Sequence, residues 1–322
     1  MNSKKEFLTY CPERNATFER QIKTSEDAPP LAHHDHVHNR TILGVADGMG
    51  RAGTVRVVPN SKPSTPQSMA RVASRSVVGA VLEGFNRLPR DLSRCDLTTI
   101  ISENVVSAVH RLTPGYRLYS CLTFSETAAE FAKEGIGILR YPTTLATAII
   151  QKEADRSTIV HALWGGDAPI SIRTPTSLFT TYNGPSSGND HAIHADVPEN
   201  YQLHKASFYI PADVPFMVAA CTDGLTHFNR FPKNMSIPHI DRLDLFRELW
   251  TSVVKGTDRA TLSDSLQMCI APYLDTEACY LSGAPYLYPD DRTASLHLSQ
   301  SFVPQDEIST HLVGNGDNFY II

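Results

Sequence analysis

Three aspartates in this chain stand at the edge of apolar, β-prone runs, and any fold must give each of them something to do. Asp47 follows the run 41–46, Asp223 follows 216–221, and Asp317 precedes 319–322. A carboxylate at the end of a buried strand is costly unless it is hydrogen-bonded, paired or holding a metal. The surrounding motifs read Val45-Ala46-Asp47-Gly48-Met49-Gly50, Cys221-Thr222-Asp223-Gly224-Leu225 and Gly316-Asp317-Asn318. A further acidic motif, Ser25-Glu26-Asp27-Ala28, precedes them all. Several carboxylates converging on one point suit hard, oxygen-preferring cations such as Mg²⁺ or Mn²⁺.

Composition narrows the classes that remain. The chain has 322 residues, 41% hydrophobic and 20% charged, enough for one large domain or two ordinary ones. A formal net charge of −5 and the lack of a long basic run leave no electrostatic footprint for nucleic acid. Two lysines follow Met1-Asn2-Ser3 without an apolar stretch behind them, so no secretory signal is expected. Apolar runs such as 214–221 are too short to span a bilayer, which excludes a helical membrane anchor there. The six cysteines are widely spaced with no Cys-x-x-Cys pair, as expected of reduced thiols and a cytoplasmic location.

Periodicity sets out the elements. Strand-like runs extend to residue 51, with 29–40 as a polar connection, and residues 55–66 read as a loop insertion. Helical spacing predicts helices over 67–86, 96–112 and, more weakly, 126–133. The β-rich runs 143–150 and 158–163 predict a hairpin, with 170–173 extending its sheet. Residues 174–200, dense in Pro, Gly, Ser, Asn and Asp, read as a mobile, flap-like surface segment. Strands over 202–210 and 216–221, helices over 241–255 and 261–274, and a last strand over 318–322 complete the expectation. The acidic motifs run from Glu26 to Asn318, so a cut anywhere between would divide the site; a single domain over 1–322 is expected.

Two patterns have plainer explanations than they invite. The cluster His33, His34, Asp35, His36 and His38 lacks a cysteine and follows Pro29-Pro30, so a solvated loop is preferred to a transition-metal site. Gly184-Pro185-Ser186-Ser187-Gly188 matches a serine-hydrolase pattern but lacks a strand before it and a helix after it, so it reads as a turn.

Taken in order, the four acidic motifs resemble those of the metal-dependent protein phosphatases, the type 2C (PPM-type) serine/threonine phosphatase family, in the Asp-Gly-Met-Gly form of bacterial members. Two softer motifs agree: Pro142-Thr143-Thr144-Leu145-Ala146-Thr147-Ala148 is similar to the family's Gly-Thr-Thr strand, and Trp164-Gly165-Gly166-Asp167-Ala168 to its Gly-Asp-Ser-Arg turn. The resemblance implies an α+β fold, a four-layer αββα sandwich of two antiparallel sheets flanked by helix pairs, with a binuclear Mn²⁺ or Mg²⁺ centre at one end. Carried over by position, Asp47 would bridge both ions and the Gly48 carbonyl would bind one. Asp223 and Asp317 would be ligands on the second-metal side, and Asp27 and Glu26 would act largely through metal-bound water. Asp167 would be the candidate ligand of a third ion. Hydroxide bridging the ions would attack phosphorus in line, with Asp47 and Asp223 in the catalytic roles. The implied substrate is a phosphorylated protein, and the implied partner a cognate serine/threonine kinase.

Several positions depart from the family pattern. The family's phosphate-gripping arginine is missing before the first acidic pair, and Lys23 is the nearest choice, a less specific clamp. Met49 stands where many eukaryotic members have a histidine, Arg51 replaces a glycine, His227 replaces an acidic residue, and Pro169 replaces an arginine. These departures keep open a catalytically silent pseudophosphatase, a regulatory binding module built on the same fold. A metal-dependent hydrolase of small phosphoesters is the third reading.

Overall fold

Strand β4 (Arg40–Val45) is the element around which the molecule is layered, and all six of its residues are buried. Ile42 joins a cluster formed with helices, while Leu43 and Val45 join a cluster formed with a second sheet. A strand apolar on both faces must lie between two layers. The computed structural model describes residues 5–11, 15–21, 25–50, 52–61, 64–92, 96–181, 192–222, 292–299, 310–314 and 318–321.

The first sheet carries β4 next to β3 (Leu31–Asp35) at one edge. On the other side of β4 come β8 (Leu145–Lys152), β9 (Thr158–Gly165), β12 (His204–Ile210) and β16 (Asn318–Ile321). The second sheet has seven strands: β1 (Lys5–Cys11), β2 (Asn15–Gln21), β14 (Arg292–Leu298), β13 (Met217–Cys221), β10 (Ile170–Arg173), β11 (Ser177–Thr181) and β15 (Thr310–Gly314), in that spatial order. The two sheets face each other across Leu43, Val45, Val160, Trp164, Ile172 and Val218.

The outer face of the six-stranded sheet is covered by α1 (Met69–Arg87) and α2 (Leu97–Gly115). Val77, Val81, Phe85, Ile101, Val105 and Val109 bury their apolar faces there against Ile42, Ile149 and Leu163. Both helices start at side-chain caps legible in the sequence: Ser68 accepts from the Arg71 amide and Asp96 from the Thr99 amide. A third helix, α3 (Phe124–Lys133), opens on a full capping box of Thr123 and Glu126. The fold is thus α+β, with one helix layer and two facing sheets among the described residues. The helices expected over 241–255 and 261–274 lie outside them. No helix among the described residues is long and apolar enough to cross a membrane.

The structure differs from the sequence expectation in four places. Residues 55–66 are not simply a loop: β5 (Arg56–Pro59) pairs with β6 (Gln67–Ser68) and β7 (Tyr116–Leu118) in a small third sheet. Asn60 then donates from its amide side chain to Pro114 O at 2.8 Å and from its backbone to Gly115 O at 3.0 Å, closing the C-terminus of α2. Residues 174–200 are partly built into the sandwich, since β11 lies within the seven-stranded sheet and Ile193 is fully buried. The polar connection 29–40 contains β3, which leaves only 36–39 as the turn. Finally, both sheets are antiparallel except at one edge of each, where β15 runs parallel to β11 and β16 parallel to β12. Hydrophobic pattern specifies which face of a strand is buried, whereas the direction of an edge strand depends on where the chain returns.

Candidate active site

Five strands deliver chain to one end of the sandwich. β4 ends there at Val45, paired with Ala146 near the start of β8, and β9 ends there at Gly165, paired with Leu145. In the facing sheet β13 ends at Cys221, paired with Ala294 near the start of β14. The motifs sit on the segments that leave or enter these strands.

The first two acidic motifs are joined through their backbones. Ala28 N donates to Ala46 O at 2.9 Å, which sets Asp27 one residue from β4's exit. The close approach continues at the glycines. A Cβ added at Gly48 would lie 2.7 Å from both Glu26 O and Ala70 O. One added at Gly50 would meet the Glu26 carboxylate itself, 2.0 Å from Oε2. A larger residue at 48 would have to move the backbone of the acidic motif or of the first turn of α1, whereas one at 50 would displace the Glu26 side chain. Helix α1 holds the motif from the other side: Arg71 Nη1 donates to Ser25 O and Ser74 Oγ donates to Glu26 O.

Asp47 is held by its carbonyl. Thr144 N donates to Asp47 O at 2.8 Å and Thr143 Oγ1 donates to the same oxygen at 2.7 Å. Thr143 is itself paired with Ile193 through two backbone bonds of 2.9 Å. The residue that leads into this clamp, Tyr141, is buried with φ of 55° directly before Pro142. A non-glycine residue in that region is strained and persists only where its surroundings impose it.

The facing sheet reaches the same point through threonines. Thr293 Oγ1 donates to Asp27 Oδ2 at 2.8 Å, and Asp27 is 0% exposed. Thr293 N donates to Thr222 Oγ1 at 2.9 Å, and Thr222 N donates to Thr293 O at 2.9 Å. A fully buried carboxylate is therefore hydrogen-bonded to β14 and, through it, tied to the residue preceding Asp223. Next to it the Cys221 thiol is pushed up to about 12 by burial, so it stays protonated and is no nucleophile.

Of the residues singled out from sequence, Glu26, Asp27, Asp47 and Gly48 are brought together. Asp167 is exposed in the turn after β9, whose Gly166 (φ 84°) packs against Thr144, the residue bonded to Asp47 O. Pro169 is buried, and its carbonyl accepts from Cys221 N at 3.0 Å. Lys23, Arg51, Asp223, His227 and Asp317 lie outside the described residues. Strand β16, which follows Asp317, is the outermost strand of its sheet, with β12, β9 and β8 between it and β4. Four strand spacings of about 4.8 Å put it roughly 19 Å from β4 across the sheet.

The sequence reading did not single out the pair Asp290-Asp291, which lies outside the described residues. Asp290-Asp291 stand directly before β14, the strand whose second residue, Thr293, bonds Asp27. The signal was weak because Arg292–Leu298 alternates small and polar residues, whereas 319–322 is a more apolar run.

Among the described residues no three His, Cys, Asp or Glu side chains are grouped closely enough to hold a metal ion. The two joined motifs offer only oxygen donors, the side chains of Glu26, Asp27 and Asp47 and the Gly48 carbonyl, a chemistry that suits Mg²⁺ or Mn²⁺ rather than zinc. The histidines of β3 and its turn form no such group either: Asp35 accepts from His38 Nδ1 at 2.6 Å and from Arg40 Nε at 3.0 Å.

Neither a family model nor a curated protein matches the chain. Solved structures similar to it at low identity include three phosphatases. The PP2C phosphatase domain with a regulatory-domain fragment of the cell fate determinant SpoIIE from Bacillus subtilis is 13% identical, with a TM-score of 0.46 over 92% of this chain and 65% of that one. This chain therefore spans a little under two thirds of that structure's length. The serine/threonine phosphatase of S. agalactiae is 14% identical, with a TM-score of 0.47 over 93% of this chain and 100% of that one. The PPM Ser-Thr phosphatase MsPP of Mycobacterium smegmatis is 11% identical, with a TM-score of 0.43 over 92% and 97%.

Proposed function

We propose that this protein is a metal-dependent phosphoric monoester hydrolase acting on serine/threonine phosphoproteins, with a cognate kinase as its counterpart. The observation that carries the reading is the junction at Asp27. One buried carboxylate is bonded to Thr293 of one sheet, while its neighbour Ala28 is bonded to Ala46 beside Asp47 in the other. Burying a carboxylate where two sheets meet is costly for stability, and a phosphoryl-transfer site gives it a use.

In this reading Asp47, the Gly48 carbonyl, Asp27 and Asp223 hold two divalent cations, with Glu26 acting through water. Asp167 is the candidate for a third. The fourth carboxylate is assigned to Asp290-Asp291, ahead of β14, in preference to Asp317, ahead of the distant β16. The chemistry that Mg²⁺ or Mn²⁺ supplies when bound is activation of water near neutral pH and neutralisation of phosphoryl charge. The chain's own contribution is positional. Thr143 and Thr144 fix the Asp47 backbone, Thr293 orients Asp27 by occupying Oδ2, and Gly48 and Gly50 let Glu26 approach the turn.

The test is hydrolysis of an aryl phosphate and of phosphoserine and phosphothreonine peptides, with and without Mn²⁺. Metal-dependent release of phosphate from the peptides, lost in Asp47→Asn, supports the reading. Turnover of small phosphoesters alone would move the substrate class. A folded, Mn²⁺-binding protein that turns over neither would make this a regulatory binding module.

A further inference from the structure

A phosphate site needs a cation on the protein as well as metals, and Lys23, the sequence candidate, lies outside the described residues. The structure places a different one at the site. Arg71, in the first turn of α1, is half-buried and donates through Nη1 to the carbonyl of Ser25, next to Glu26 and Asp27. Its neighbour Ala70 is in the tightest part of the junction, its carbonyl 2.7 Å from where a Gly48 Cβ would stand. Ser74, one turn on, bonds Glu26 O.

We propose that Arg71 is the phosphate-binding cation of this site, gripping the substrate's phosphoryl oxygens beside the metal-holding carboxylates. The inference rests on the phosphatase reading and deepens it. A guanidinium has five N–H donors in a planar fork. Here one nitrogen is tethered to Ser25, and none of the ion pairs among the described residues involves the group. A tether of that kind restricts rotation while leaving the rest of the fork for an oxyanion, the bidentate geometry arginine makes with phosphate. The half-buried setting strengthens the interaction relative to a solvated arginine. Helix α1 thereby does two jobs with one turn, bracing the acidic motif through Arg71 and Ser74 and presenting the charge that the motif's product must meet.

A purely structural strap would need only the bond to Ser25 O, and two variants separate the roles. Arg71→Lys keeps the charge and a donor near that carbonyl but loses the fork; Arg71→Gln removes the charge and leaves only a shorter N–H donor. The measurement is calorimetric binding of inorganic phosphate to the Mn²⁺-loaded full chain, alongside Mn²⁺ titration and aryl phosphate hydrolysis. Arg71→Gln should bind phosphate about 10- to 100-fold more weakly, as for loss of charge-assisted hydrogen bonds. Its KM should rise while Mn²⁺ affinity is unchanged, and Arg71→Lys should fall between. Unchanged phosphate binding in Arg71→Gln would overturn the inference, and wild-type turnover in the same series would leave the phosphatase reading standing. Arg71-dependent phosphate binding without turnover would support the inference and sink that reading. Weakened Mn²⁺ binding in Arg71→Gln, or no phosphate binding by the wild type, would also overturn it.

Discussion

The two ends of strand β4 use the same kinds of side chain for opposite purposes. At its start, Arg40 is 2% exposed and its charge is consumed inside the fold. Its Nε bonds Asp35, its Nη atoms bond the carbonyls of Leu88 and Pro89 at 3.1 and 2.9 Å, and its guanidinium lies 4.9 Å over the Phe85 ring. The arginine thus closes the C-terminus of α1, where orphan carbonyls and the helix dipole favour a cation. Beyond the other end of β4 is Asp47, whose backbone is bonded by Thr143 and Thr144 while the buried Asp27 is bonded by Thr293. The first end neutralises a carboxylate with cations. At the second end hydroxyls and amides fix the Asp47 backbone and one oxygen of Asp27.

That contrast can be broken most directly by Asp47→Asn. At the functional end the loss should appear as activity, at least about 100-fold if several kcal/mol of charge stabilisation goes with it. The melting temperature should hold or rise, and a stability loss equal to the activity loss would erase the contrast. Arg40→Ala should do the reverse. It strips a buried cation from Asp35 and from the end of α1, costing about 3 kcal/mol. Thermal melts should show the drop, with turnover per folded molecule unaltered.

Thr293→Val sharpens the comparison within the site. The hydroxyl on Asp27 orients a proposed ligand, and losing such a partner weakens metal binding about 10-fold. Mn²⁺ titration reads this directly, and unaltered affinity would mean the bond serves packing. The smallest effect concerns Asp35. Burial tends to raise its pKa, but hydrogen bonds from His38 and the Arg40 charge outweigh that and hold it at about 2. Since an unfolded aspartate titrates near about 3.9, the pair's stabilisation is complete above that pH and is lost as pH falls towards 2. Acid unfolding curves of Asp35→Asn should be flatter than wild type between those limits.

The same contrast explains what could be read before the structure. Partners at the Arg40 end are near in sequence, as with Asp35, His38 and Arg40, and helix caps such as Ser68, Asp96 and Thr123 are local too. Apolar spacing was enough to place α1, α2 and the β8–β9 hairpin within a few residues. At the functional end the decisive bonds link Thr293 to Asp27, 266 positions apart, and Thr143 to Asp47, 96 apart. Motif order could suggest that such carboxylates meet. It could not say that β14 rather than β16 would lie beside β13, because the run 319–322 is the more apolar of the two. Nor could it find Arg71, whose role depends on α1 bringing its first turn against Ser25. The strand β11 was obscured by the polar residues around it, which read as loop until a sheet supplied its partners.

The central claim is that the carboxylates joined at Asp27 exist to hold divalent cations. Calorimetric titration of Mn²⁺ into the wild type and Asp27→Asn, both shown folded by thermal melt, tests it most directly. The account predicts saturable Mn²⁺ binding by the wild type, in the micromolar to millimolar range, and clear weakening in the variant. A folded wild type that takes up no Mn²⁺, or an Asp27→Asn protein that binds it as tightly, would contradict the account.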